Sequence, residues 1–197
     1  MTTEQALFLR DFLLQRIEEA HLVTLRVLSS VPEAQIDYRP THRSRSARQV
    51  ASHIINTELI LMNGIVSGVF NRSACDLPDP DMNLRDMIAY YDDRFVEGIE
   101  AIRKATVKKL TSYLSFYGVF RHPAVVFLTF LHDHTVHHRG RLSDYIREMG
   151  SKVSMIRSVD GNFVSMGQPA MKYLWTERSW EQDELAPPPA PQIPPVQ

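Results

Sequence analysis

A chain of 197 residues, 44% hydrophobic and 23% charged with a formal charge of −1, holds enough apolar material for one sizeable core. The near-neutral balance lacks the basic face with which nucleic-acid binders neutralise phosphates, so no nucleic-acid partner is expected. The single cysteine, Cys75, excludes an internal disulfide and a cysteine-based zinc site, and no run nears the roughly 20 apolar residues of a membrane span; a soluble, cytoplasmic protein without a membrane partner is expected.

The first helix is predicted from about Thr3 to Leu28, where Leu9, Phe12, Leu13, Ile17, Ala20, Leu25 and Leu28 recur near helical period between charges. Pro32 and Pro40 mark the connection that follows. A second helix opens at Ser46-Ala-Arg-Gln49, the form of a capping box, in which the serine and glutamine side chains satisfy amides left free at a helix start. It runs through His53 and Leu61 and fades near Gly64 or Gly68. Residues 71–83, with Pro78 and Pro80 among aspartates, read as a loop.

A third helix is predicted over roughly Leu84 to Ala105, with Leu84, Met87, Ile88, Tyr91, Phe95, Ile99 and Ile102 on one face. Thr106 to Arg121 is either a short extended piece or an irregular connection, and periodicity does not separate the two. In the last helix Pro123 suits the first turn and Gly150 the residue past the end. Four long amphipathic helices without convincing strands predict an all-α bundle over residues 1–150. Residues 151–185 carry turn signals and apolar residues expected to pack across the bundle, and the Pro-rich stretch 186–197 reads as a disordered tail.

Four of the eight histidines fall within His132-Asp-His-Thr-Val-His-His138. A helix turns about 100° per residue, so His132 and His134 point to nearly opposite sides. His134 and His138 are four apart and share a face, close enough to converge on one ion at distances near 2.0–2.1 Å; His134 with His137 is a second possible pair. The stripe Phe127, Leu131, His134, His138, Leu142, Tyr145 and Met149 favours the first pair and turns it toward the core. A buried imidazole without a partner costs roughly 1–3 kcal/mol, so each must be hydrogen-bonded or metal-bound. A lone core histidine is more often a satisfied packing residue than a ligand; two of them four apart in one apolar stripe weaken that reading. The third ligand is open: His53 shares a face with Val50, Thr57 and Leu61, while His21 shares one with Ile17, Leu25 and Leu28, and spacing gives His53 only a modest lead.

Tyr38-Arg-Pro40, the stretch Arg45 to His53 with Glu58 five residues on, and His134-Thr-Val-His-His-Arg-Gly140 resemble the DinB/YfiT-like family over roughly residues 3–150. The resemblance implies a four-helix bundle of up-down-down-up type with an irregular C-terminal extension. It also implies a divalent metal on one histidine of the second helix and two of the last, which map onto His53, His134 and His138. Two departures stand out: Arg141 occupies a position often held by a polar amide, and no Pro-containing motif of close relatives follows Met149.

Three neutral imidazoles leave an open coordination position, where a water or a thiol can be activated; no catalytic side chain beyond them is singled out. Zinc or nickel leads as the ion, with manganese or iron also compatible with imidazole. The resemblance implies a hydrolase or a low-molecular-weight-thiol-dependent transferase acting on a small molecule. The alternative is a non-catalytic metal- or partner-binding helical bundle, and pairing as a homodimer is open. Thr57, Asp133 and Asp144 are candidates to orient the rings, although solvated helix charge is the better reading of the two carboxylates. The cluster His42-Arg43-Ser-Arg45-Ser-Ala-Arg48 could hold an anionic substrate or thiol carboxylate, but more often such a stretch is a solvated loop; Tyr145 could reach the site but fits core packing better.

Overall fold

Helix starts follow the capping chemistry of the sequence. The computed structural model describes residues 1–73, 76–79 and 81–153. In it α1, Thr3–Ser29, begins on Thr2, whose hydroxyl accepts from the Gln5 amide while the Gln5 side chain accepts from Thr2 N–H. The same reciprocal box on Ser46 and Gln49 opens α2, Ala47–Ser67, as expected. Gly68, at φ 91°, ends α2 in the left-handed conformation and donates back to Gly64. Asn83 caps α3, Leu84–Arg103, by accepting from Asp86 N–H.

Ser46 is 1% exposed, and its hydroxyl fixes where α2 begins, seven residues before His53. Ser46→Ala is expected to lower unfolding free energy by about 1 kcal/mol. Urea denaturation at fixed m-value measures this; an unchanged midpoint would deny the cap its role.

Thr106 to Arg121 resolves into structure that the helical period could not reveal. A one-turn helix, α4, spans Val107–Thr111 on a Thr106 cap. Strand β1, Tyr113–Phe116, then pairs antiparallel with β2, Phe120–Pro123, in the register Leu114 to His122 and Phe116 to Phe120. Of the two readings left open for this segment, the extended piece is the one found, and the bundle remains mostly helical. Tyr117 and Gly118 at the turn both have positive φ, and Tyr117 lacks the Asn-Gly or Asp-Gly signature that normally announces such a turn. Pro123 is likewise not in the first turn of the last helix: it ends β2, a 3-10 turn over Ala124–Val126 intervenes, and α5 runs Phe127–Glu148.

Side-chain contacts fix the direction of each long helix. Ser52 touches Met87, Glu58 bonds Tyr91 and Met62 lies against Gly98, so α2 and α3 run parallel. Arg10 reaches Arg103 and His21 reaches Asp92, so α1 opposes α3. Phe70, just beyond α2, packs on Phe127 at the start of α5, and His53, early in α2, meets His138, so these two are antiparallel. The order is up-down-down-up, with α2 and α5 as neighbours.

Met1–Ile156 forms one compact unit. Its core includes Leu14, Leu28, Ile54, Ile55, Met87, Tyr91, Phe127 and Ile146, all 0% exposed. Among the described residues no helix is long and apolar enough to cross a membrane. The expected packing of residues 151–185, apart from their first three, the disordered tail 186–197, and Cys75 lie outside the described residues.

Candidate metal centre

The three expected ligands meet. His53 projects from the first half of α2, and His134 and His138 from the middle of α5, one turn apart on the side facing α2. Ring centroids lie 4.8 Å apart for His53 and His134, 4.5 Å for His53 and His138, and 4.4 Å for His134 and His138. One nitrogen of each ring lies within 4.8 Å of the others, a group that could hold a metal ion. Of the apolar members of the predicted stripe, Phe127, Leu131, Leu142 and Tyr145 are buried above and below the pair, while Met149, just past the end of α5, is half-buried.

Nε2 of His53 and Nε2 of His134 are 3.1 Å apart. Two lone pairs at that distance repel unless a proton or a cation lies between them. Nitrogens about 2.0–2.1 Å from a shared tetrahedral ion would sit about 3.3 Å apart, close to what is found. Nδ1 of His134 and Nδ1 of His138 are buried with no hydrogen-bond partner among the described residues. Among the described residues nothing meets the polar demand of these two nitrogens.

Electrostatics keep the rings neutral. Burial, reinforced by His138 and His53, pushes His134 down to about 3, and burial followed by His53 lowers His138 to about 4. His53 is lowered by burial and then by Arg45 and Arg72. No carboxylate belongs to the group. A neutral three-nitrogen donor set suits a borderline divalent cation such as zinc or nickel.

The other candidates divide. Thr57 Oγ1 lies 3.4 Å from His53 Nδ1, one turn along α2, and so abuts the ring it was expected to orient. Asp133 and Asp144 do not approach the site: Asp133 contacts His132 and Asp144 pairs with Arg147, their side chains 72% and 69% exposed. On α5 both stand on the solvent side, where charge is cheapest. His21, the rival third ligand, is held in the α1–α3 seam by Asp92 at 2.8 Å and stacks on Phe95 at 3.6 Å. His137 is exposed and touches only the His138 ring among the three. Tyr145 is 4% exposed and engages Tyr38 and Arg141. Of the basic cluster, Arg48 is tied to Met82 O at 2.6 Å and Asp37 at 3.5 Å. Arg45 is exposed and its charge reaches all three rings.

Behind the histidines lies a buried polar network that the sequence did not announce. Glu58, 1% exposed, accepts from Tyr91 Oη at 2.7 Å and from the Thr135 hydroxyl. Arg139, beside His138, does not turn to the rings; it crosses to α1 and donates to Ala20 O at 2.9 Å. Thr135 follows His134 and Arg139 follows His138, so these bonds set the rotation of α5 that points both ligands at α2.

A family model described as the DinB family matches residues 1–171. Among curated proteins, the uncharacterized protein YjoA of Bacillus subtilis (strain 168) is 23% identical over 128 residues, covering 65% of this chain and 82% of YjoA. The crystal structure of the B. subtilis DinB-like protein YjoA matches with a TM-score of 0.60 at 20% identity, over 70% of this chain and 92% of that one. A DinB-like protein from Bacillus cereus ATCC 10987 gives 0.60 at 21% identity, over 72% and 93% respectively. At these identities the structural likeness speaks for the fold.

Proposed function

This chain belongs to the DinB family, and from that premise we propose that it is a divalent-metal-dependent enzyme acting on a small molecule, with His53, His134 and His138 holding the ion. The observation that carries the reading is the convergence of three neutral imidazoles from two helices around one point. Zinc or nickel is the proposed ion, with manganese or iron also suited to imidazole. When bound by three protein ligands, such an ion supplies Lewis acidity at an open position, enough to lower the pKa of a water or thiol there.

The chain's own part is positional. His53 offers Nε2 with Thr57 beside its other nitrogen, which limits ring rotation. Burial of His134 and His138 holds them unprotonated, with lone pairs free to donate. The bonds of Glu58 to Thr135 and of Arg139 to Ala20 keep α5 in the rotation that the site needs. Two reactions suit this arrangement: hydrolysis of a small ester or amide, and transfer to a low-molecular-weight thiol.

Chelator-stripped and zinc- or nickel-loaded protein, prepared without a polyhistidine tag, should be assayed against ester and amide substrates and against thiols paired with small electrophiles. Turnover that vanishes with the metal and returns on its re-addition is expected. Turnover indifferent to the metal would refute the reading, and a tightly held ion with no turnover on any panel would favour a non-catalytic bundle.

A further inference from the structure

Beside His53 opens a cavity of about 650 Å³, inside the roughly 300–1,000 Å³ of small-molecule sites. Its wall brings His53 and Thr57 together with Asn56, Arg48, Arg72 and Asp76. Arg48 is committed to Met82 and Asp37. Arg72 has no hydrogen-bond or ion-pair partner among the described residues, Asp76 on the same wall included, and Arg45 at the approach to α2 has none either. Asn56 carries a second signal: its Oδ1 is buried with no partner among the described residues. A carboxamide turns about a broad, two-fold terminal torsion, so this group can present either its oxygen or its N–H₂ to whatever enters.

Positive charge prevails around the cavity. Arg72 and Arg45 both oppose a proton on His53, Arg45 does so at His134 and His138 too, and Arg141 does so at His138. Among the described residues Asp76 is the only carboxylate on the wall. Arg72 on the wall, and Arg45, which does not line it but whose charge reaches His53 beside it, favour an anion, because guanidinium groups bind carboxylate and phosphate oxygens with charge-assisted hydrogen bonds.

We propose that this cavity takes the anionic end, a carboxylate or a phosphate, of the small-molecule substrate, with Arg72 and Arg45 as its charge partners and Asn56 as a hydrogen-bonding group. As the substrate's binding end the assignment rests on the metal-site reading above; as an anion subsite it rests on the cavity alone. The reactive end of such a molecule would point past His53 toward the three rings.

Calorimetric titration of the full-length protein with succinate, inorganic phosphate and neutral succinamide tests this, on zinc-loaded and chelator-stripped samples whose metal content is measured first. At least one anion is expected to bind while succinamide does not; succinate against phosphate then identifies the preferred oxyanion. The exposed pair Arg45→Ala/Arg72→Ala should weaken the anion about tenfold or more with circular dichroism and metal content unchanged, and Asn56→Ala should weaken it less. Succinamide binding as well as the anions, no anion binding to metal-loaded protein, or full affinity in the double arginine variant would each overturn the proposal, the last by placing the anion on the metal alone. Protein that takes up no metal yet binds anions through the arginines would sink the metal reading and leave this subsite standing.

Discussion

Replacing His134 by alanine is expected to weaken zinc or nickel binding by roughly 100-fold or more, so that a stoichiometric ion is no longer carried through dialysis. The magnitude follows from a lower bound: loss of a group that merely orients a ligand costs 10–100-fold in affinity, and loss of a ligand costs more. His134 is the most embedded of the three rings, with its Nε2 only 3.1 Å from that of His53. His53→Ala and His138→Ala should behave alike, since the two nitrogens left in either variant hold a divalent ion far less well than three. His132→Ala and His21→Ala are the controls. His132 bonds Asp133 and His21 bonds Asp92, so both should keep their metal. Titration with a competing chromogenic chelator reads the difference, and equal retention in all five variants would contradict the ligand assignment.

The second large effect belongs to Glu58. Burial raises its carboxyl from 4.5 to about 7, against the opposing pull of its bonds to Thr135 and Tyr91 and the Arg139 charge. A group whose pKa is higher in the folded than in the unfolded chain favours folding most below the unfolded value. That contribution is complete below about pH 4.5 and falls away as pH rises toward 7, where the carboxylate must be ionised in the core. The size is about 3 kcal/mol, from about 1.4 kcal/mol for each tenfold change in the acid's dissociation constant. Glu58→Gln removes the titration while keeping the volume and one acceptor. The stability difference between pH 5 and pH 8 should therefore shrink by about 2.5 kcal/mol in the variant relative to the parent, part of the effect being already lost at pH 5, in a comparison in which all other groups cancel. Glu58→Ala should cost about 2–4 kcal/mol at pH 5, because it opens a cavity and strips the acceptor from two buried hydroxyls. Denaturant melts at the two pH values check both. Parallel pH profiles in parent and Glu58→Gln protein would mean that Glu58 titrates normally.

What the sequence disclosed depended on the range of the interaction. The capping box at Ser46 and the stripe from Phe127 to Met149 are local patterns, and both stand in the structure. The stripe was enough to turn His134 and His138 to one side, and the structure adds what spacing left open, that His53 meets them and His21 does not. An extended piece was one of the two readings open for Thr106 to Arg121, but its pairing into a hairpin escaped because the turn places Tyr117 at φ 50°, a conformation that tyrosine does not advertise. Glu58 was marked by the family resemblance without a role, and its burial escaped for a different reason. An acid on a helix is ordinarily solvated, and only the arrival of Tyr91 from α3 and Thr135 from α5 makes its burial tolerable. Asp133 and Asp144 were near the ligands in sequence but not in rotation, and 100° per residue is enough to carry a side chain from the site to solvent. Arg72 and Asn56 carried no motif; the cavity alone brings them beside His53.

X-ray absorption at the edge of the metal that copurifies with untagged protein addresses the ligand set directly. One ion per chain, with three imidazole nitrogens at about 2.0–2.1 Å and the scattering pattern of intact rings, is the predicted result. A sulfur shell near about 2.3 Å, fewer than three imidazoles, or no stoichiometric metal after incubation with zinc and nickel would contradict it.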